Sequence, residues 1–205
     1  MQAAAVAAED IGFLTHEGVD WTAVREALQE WVEGEGLRGA STITQQTARN
    51  LFLSSRRSFF RKVAEARIAR ALEDELGKRR ILELYLNIAE FGDEVLGVEA
   101  AAWRYYGCTA AELTAEQAVG LCAALPSPRR DNPATATRTW EFRSEVILKR
   151  LEEYDWLYRR LLRLHPEDVA EKLAAAIAEP DTTLPLPADT TSAAPPDTAR
   201  AKPRF

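Results

Sequence analysis

The feature that most constrains this chain is helical periodicity punctuated by caps and breakers, with almost no period-two alternation of the kind strands need. Ala3 to Ala8 is an alanine-rich helical start, and Asp20 can cap a run in which Val24, Leu28 and Trp31 recur at the four-then-three spacing of one helix face. Gly34 to Gly39, with three glycines in six residues, is expected to be a loop. Ser41 or Thr42 then caps a helix through Gln45 and Arg49, and a long helix over Phe59 to Leu76 is expected to stop at Gly77. Leu82, Tyr85, Leu86 and Ala89 place Ile81 to Ile88 on a helix, and Thr114 with Gln117 forms a capping box for an apolar helix ending at Leu125. Pro126, Pro128 and Pro133 open a loop; further helices are expected over Glu141 to Leu164 and Glu167 to Glu179. From Pro180 onward Pro, Thr, Ala and Asp dominate, the composition of a disordered tail. The expected fold class is mainly α.

A chain of 205 residues that is 46% apolar can bury the core of one globular domain, or at most two small ones. Its apolar runs, such as Leu173 to Ala178, fall far short of the roughly 18 to 20 residues that cross a bilayer, so as written it shows neither a membrane anchor nor a signal peptide. Cys108 and Cys122 have no CxxC spacing and no neighbouring His cluster, which argues against zinc and against a disulfide framework. With 32 acidic against 26 basic residues, the formal charge is -6, and a nucleic-acid partner is not indicated. The charge is uneven, however. Arg38 to Arg80 holds 11 basic and 4 acidic residues, a net of +7, which leaves -13 for the rest. A basic segment in an acidic chain points to a local anionic partner such as phosphate, diphosphate or a lipid headgroup surface, although a solvated helix face with intrahelical pairs is the simpler explanation on charge alone.

Three constellations carry candidate chemistry. Glu9 and Asp10, followed by Phe13, His16 and Gly18, put two carboxylates beside a ring and an imidazole, a setting that raises the pKa of a catalytic acid or base. Taken alone, such a pair is more often solvated. The second is Gly39-Ala40-Ser41-Thr42-Ile43-Thr44-Gln45-Gln46-Thr47-Ala48-Arg49-Asn50: on a helix Ser41, Gln45 and Arg49 form one polar stripe, with Thr42 and Gln46 beside it. Hydroxyls, amides and a guanidinium on one face suit a sugar or phosphate. The third, Arg61-Lys62-x-x-Glu65, joins cations to a carboxylate next to Phe52, Phe59, Phe60, Arg56 and Arg57, a mixture expected where a protein dips into headgroups.

These segments, continued by Arg80-Ile81-Leu82-Glu83-Leu84-Tyr85-Leu86-Asn87, Ile88-Ala89-Glu90-Phe91-Gly92 and Gly97-Val98-Glu99-Ala100-Ala101, resemble in order and spacing the motifs of the peptidoglycan glycosyltransferases of glycosyltransferase family 51, most of all its monofunctional biosynthetic transglycosylase branch. The resemblance covers roughly three quarters of the chain. It implies a lysozyme-like, largely helical domain with a small membrane-associated subregion, assigned to residues 1–151, followed by a helical extension at 152–179 and the tail at 180–205. It also implies polymerisation of lipid II into β-1,4 glycan strands with release of undecaprenyl diphosphate. Glu9 is then the general base, and Glu65 the second acid of the catalytic motifs, with its role left open and orientation of the cations or of a metal near the diphosphate as one reading. Asp10, Phe13, His16, Ser41, Thr42, Gln45, Gln46, Arg49, Arg61 and Lys62 are then the substrate-binding set. Position 49 is Arg where many relatives carry Lys.

The implied cofactor is at most a divalent cation, magnesium or manganese, with unknown ligands and no organic cofactor. The implied partners are lipid II and the nascent glycan strand, the membrane surface and other cell-wall synthesis proteins. The place is the bacterial cytoplasmic membrane, with the catalytic domain facing the periplasm. Relatives carry a transmembrane helix and a further helical segment before the first motif; eight residues precede Glu9 here, so the anchor is expected to be absent from this chain. A lysozyme-like glycan-cleaving enzyme and a non-catalytic lipid II binding module are the alternatives.

Overall fold

The computed structural model describes residues 1–33, 39, 41–54 and 58–154. Residues 34–38 of the expected loop Gly34 to Gly39, Arg56 and Arg57, the expected helices beyond residue 154 and the tail lie outside the described residues. Within them the fold is mainly α, as expected: α1 (Gln2–Glu9), α2 (Trp21–Val32), α3 (Ile43–Phe52), α4 (Phe59–Ile88), α5 (Val98–Tyr106), α6 (Ala115–Ala124) and α7 (Arg138–Glu153). None of these helices is long and apolar enough to cross a membrane.

The core forms around α6, of which every residue from Ala118 to Ala124 is buried. A helix apolar on all sides must be enclosed by neighbours, and α1, α5 and α7 pack against it. Ala3, Ala4, Ala5, Val6 and Ala7 of α1 are all buried; their short side chains let that helix sit close to α6 and α7. The caps form where the sequence placed them. Thr114 and Gln117 make the capping box of α6, and Thr42 and Gln45 that of α3. α7 starts three residues before the expected Glu141, because Thr137 accepts a hydrogen bond from the Trp140 amide at 3.2 Å. Trp140 Nε1 then donates to the Gly120 carbonyl at 2.7 Å and fastens α7 to α6.

The expected stop at Gly77 is a bend instead. Gly77 takes φ 67 and ψ 162, and helix continues on both sides of it. Just past the bend, Lys78 Nζ donates to Glu73 Oε1 at 2.7 Å and to the His16 carbonyl at 2.6 Å, so the bend is tied to the loop after α1. Two elements went unread in the sequence, α5 and a two-stranded antiparallel hairpin, β1 (Glu90–Gly92) with β2 (Val95–Leu96), bulged between Glu90 and Gly92. Gly97, which ends the hairpin, has φ 82, and a Cβ there would stand 2.7 Å from the Asn87 carbonyl oxygen. Only glycine meets both conditions.

Candidate active site

α1 ends at Glu9 because Asp10 leaves the helical path, with φ -162 and ψ 76. That single step sends two adjacent carboxylates in different directions. Asp10 turns inward: Oδ2 accepts from the Ile43 amide at 2.8 Å and lies 3.0 Å from His16 Nε2. His16 Nδ1 accepts from the Gly18 amide at 3.2 Å, so the ring proton sits on Nε2 and points at Asp10. Asp10 therefore joins the end of α1 to the first turn of α3, where a carboxylate also meets the positive end of the helix dipole.

The capping box makes the same connection from the other side. Thr42 Oγ1 accepts from the Gln45 amide at 3.1 Å and donates to the Gly18 carbonyl at 2.6 Å, while Gln45 Oε1 accepts from the Thr42 amide at 3.1 Å. Both residues are buried, and Phe13 is wholly enclosed, with Lys78 Nζ 4.7 Å from its ring centre. Of the expected substrate-binding set, Asp10, Phe13, His16, Thr42 and Gln45 have polar atoms or faces engaged inside the protein and build the wall of the site, in which Asp10 and Thr42 also line the smaller pocket of the cleft. Gly18 belongs to the same construction. Its φ is 90, and a Cβ would stand 2.9 Å from the Ala69 backbone of α4.

Glu9 faces outward into a cleft of two pockets. The larger, about 850 Å³, is lined by Glu9, Ser41, Gln46, Arg49, Asn50 and Arg61 among others. The smaller, about 600 Å³, has Glu9, Asp20, Glu26, Arg150 and Glu153 in its wall. Ala8, Glu9, Gly39 and Ser41 line both, and among the described residues Glu9 is the only acidic one in the wall of the larger. Gln46 Nε2 donates to Glu9 Oε2 at 2.8 Å, and the Tyr85 hydroxyl, 3.4 Å from Gln46 Oε1, fixes which way that amide faces. Burial pushes the Glu9 carboxyl above its ordinary pKa; the Gln46 bond and the charges of Arg143 and Arg49 pull back, and Asp10 adds to the rise. Burial, with Glu9 adding to it, raises Tyr85 well above the ordinary phenol value, so it stays a donor.

Glu65 is held quite differently. It is 1% exposed; Lys62 Nζ donates to Oε1 at 2.5 Å and Arg61 Nη1 to Oε2 at 3.2 Å. Lys62 Nζ also donates to Ser41 Oγ at 2.8 Å, which joins α4 to the start of α3. Arg61 Nε is buried with no hydrogen-bond partner among the described residues, at the wall of the larger pocket. A resident divalent cation does not fit this donor set: both Glu65 oxygens are already taken by cationic groups, and among the described residues no three His, Cys, Asp or Glu side chains converge.

The structure thus brings Glu9, Asp10, Ser41, Thr42, Gln46, Arg49 and Arg61 to one cleft, with Glu65 and Lys62 outside the lining of either pocket. Sequence reasoning missed the contribution of α7, whose Arg143 acts on the Glu9 charge and whose Arg150 lines the smaller pocket.

Residues 1–152 match the transglycosylase family. The chain is 50% identical over 167 residues to a biosynthetic peptidoglycan transglycosylase of Marinomonas sp. (strain MWYL1), covering 82% of this chain and 70% of the relative. It is 53% identical over 137 residues to the protein of that name in Shewanella frigidimarina (strain NCIMB 400), covering 67% and 61%, and 44% identical over 160 residues to that of Bordetella avium (strain 197N), covering 76% and 67%. The chain thus spans roughly two thirds of the length of these relatives. Family match, relatives and cleft agree, and the chain belongs to the transglycosylase family, the peptidoglycan glycosyltransferases of glycosyltransferase family 51.

Proposed function

We propose that this chain polymerises lipid II into β-1,4-linked glycan strands for the bacterial cell wall, with Glu9 as the general base. The observation that carries the reading is the place of Glu9, on the rim shared by two pockets and, among the described residues, alone as an acid in the cationic one. A diphosphate leaving group belongs in the pocket with Arg49 and Arg61, whose guanidinium groups can donate to its oxygens. The acceptor sugar then approaches Glu9 from the other pocket.

In an inverting transfer one base is needed on the attacking face. Glu9 takes the proton from the acceptor 4-hydroxyl as that oxygen attacks the anomeric carbon of the donor. The glycosidic bond forms while the bond to the diphosphate oxygen breaks, and the electron pair leaves with undecaprenyl diphosphate. The raised pKa makes Glu9 a stronger base than a solvated carboxylate, and Gln46 holds its oxygen in place. Arg49 and Arg61 meet the charge that builds on the leaving group. A hydrolase of neutral sugar has little use for such a cationic pocket.

The lipid portion of the substrate supports a site of action at the outer face of the cytoplasmic membrane. Where α3 ends and α4 begins, Phe52 is 60% exposed and Phe60 84%, with Leu51 and Val63 exposed beside them. Large apolar side chains bordering a basic cleft suit adsorption to the membrane that carries the substrate.

Purified full chain given lipid II in detergent is the test. Wild type is expected to form glycan strands, and Glu9→Gln, with unchanged circular dichroism, none. Undiminished polymerisation by that variant removes Glu9 from the role. Release of muropeptides from sacculi by the wild type would favour the glycan-cleaving alternative, and lipid II binding without turnover the binding module.

A further inference from the structure

α1 has eight residues and ends without the left-handed cap that normally satisfies the last carbonyls of a helix. Its last backbone bond is from the Asp10 amide to the Val6 carbonyl at 2.9 Å. The next two carbonyls, Ala7 and Ala8, point the negative end of the helix toward the residue that follows, and that residue is Glu9. They are met from across the molecule: Arg150 Nη1, on α7, donates to the Ala7 carbonyl at 3.0 Å and to that of Ala8 at 3.4 Å. Arg143, seven residues earlier and so on the same face of α7, is paired with the buried Asp131 at 3.4 Å and contributes its charge to the Glu9 environment.

We propose that Arg150 is a positioning residue for Glu9: by capping the end of α1 it fixes where the base stands and offsets the helix-end charge that opposes its ionised form. The inference rests on Glu9 being the base. Among the described residues, the other groups that bear on the Glu9 charge are Asp10 beside it, Arg49 with its neighbour Gln46 on α3, Tyr85 on α4, Cys122 on α6 and Arg143 on α7, and Asp20, Glu26, Glu153 and Arg61 line the pockets that Glu9 borders. Arg150 is distinct among them in acting through the backbone that carries Glu9. The sign follows directly. Without the guanidinium, carbonyl dipoles and carboxylate face each other uncompensated, so Glu9 holds its proton to higher pH, and less base is present at neutrality.

The test is Arg150→Met in the full chain, read by a carbon-13 titration of the Glu9 carboxyl, assigned by loss of its signal in Glu9→Gln, and by the pH profile of lipid II polymerisation. The Glu9 midpoint is expected to move to higher pH, the acidic limb of the rate to move with it, and kcat to fall about tenfold with KM little changed. Arg150→Lys, which keeps the charge and one donor, is expected to recover most of both. Ile147→Val weakens the packing of the same helix at a buried position and is expected to leave the Glu9 titration where it was. If Arg150→Met leaves the titration unmoved, or if Ile147→Val moves it equally, the proposal is overturned. Should Arg150→Met not fold, an unmoved midpoint in Arg150→Lys together with full activity overturns it as well. Wild type that titrates as described yet polymerises nothing would instead defeat the proposed function, which keeps the two failures apart.

Discussion

The two glutamates named by the motifs sit at opposite extremes of what a protein does with a carboxylate. Glu9 is half-buried on a pocket rim and has one neutral amide as its hydrogen-bond donor. Glu65 is 1% exposed and has a cation on each oxygen. The first arrangement leaves an oxygen free for a substrate proton. The second uses up both oxygens and in return holds Lys62 and Arg61, and through Lys62 the Ser41 end of α3, in fixed positions. The two glutamates are thus held differently: Glu9 opens onto the cleft, and Glu65 holds the cations beside it.

The largest effect expected from breaking this contrast is in turnover. Glu9→Gln should lower polymerisation by about a thousandfold, as loss of a general base does, while the melting temperature at neutral pH does not fall. Next is Glu65→Ala, expected to cost about 3 kcal/mol of stability, since it leaves a buried guanidinium without its partner; thermal melting should drop by several degrees. If Glu65→Ala melted like wild type and lost only turnover, the division of labour would be wrong. Arg61→Met sharpens the boundary between the two: weaker inhibition by added pyrophosphate, by about tenfold, is expected if its guanidinium reaches from Glu65 into the larger pocket.

The smallest effect is one of pH and stability. Because the folded pKa of Glu9 is raised, its neutral form is the one that folding favours. The stabilisation is complete below the unfolded value, near 4.5, and is lost as pH rises through the folded one. Glu9→Gln stays neutral throughout, so a small gain in melting temperature over wild type is expected at pH 7 and none at pH 4. Equal gains at both values would mean that the ionised Glu9 is under no penalty.

Much of this was legible in the chain, for local reasons. Helix starts at Thr42 and Thr114 depend on hydroxyls within three residues of the amides they cap, and Gly77 marked a break whatever came after it, whereas the same cap at Thr137 was passed over and α7 begins before the expected Glu141. The bend there formed because Lys78 found partners on Glu73 and His16, contacts that no spacing announces. Thr42 and Gln45 show how one signal can carry two meanings. The polar stripe on α3 has the composition of a ligand face, yet the capping box claims the side chains of Thr42 and Gln45, while Ser41, Gln46 and Arg49 line the larger pocket. α5 and the hairpin escaped notice because strands of two and three residues carry no alternation to read, and the backbone and side chains that crowd Gly92 and Gly97 are set by the fold. The α7 arginines were out of reach for a simpler reason: nothing in a helix of mixed charge says which of its cations faces a site begun 143 residues earlier.

That separation has a consequence in time. The bond from Arg150 to the Ala7 carbonyl closes a loop of nearly the whole described chain, and loops of this length are entropically costly and slow to close. While the chain is being synthesised, α1, with Glu9 at its end, exists long before α7 has emerged. The helix that carries the base acquires its cap only when most of the domain has been made, so the setting of Glu9 comes last, and a chain interrupted before residue 150 holds every motif in its original order but not the completed site.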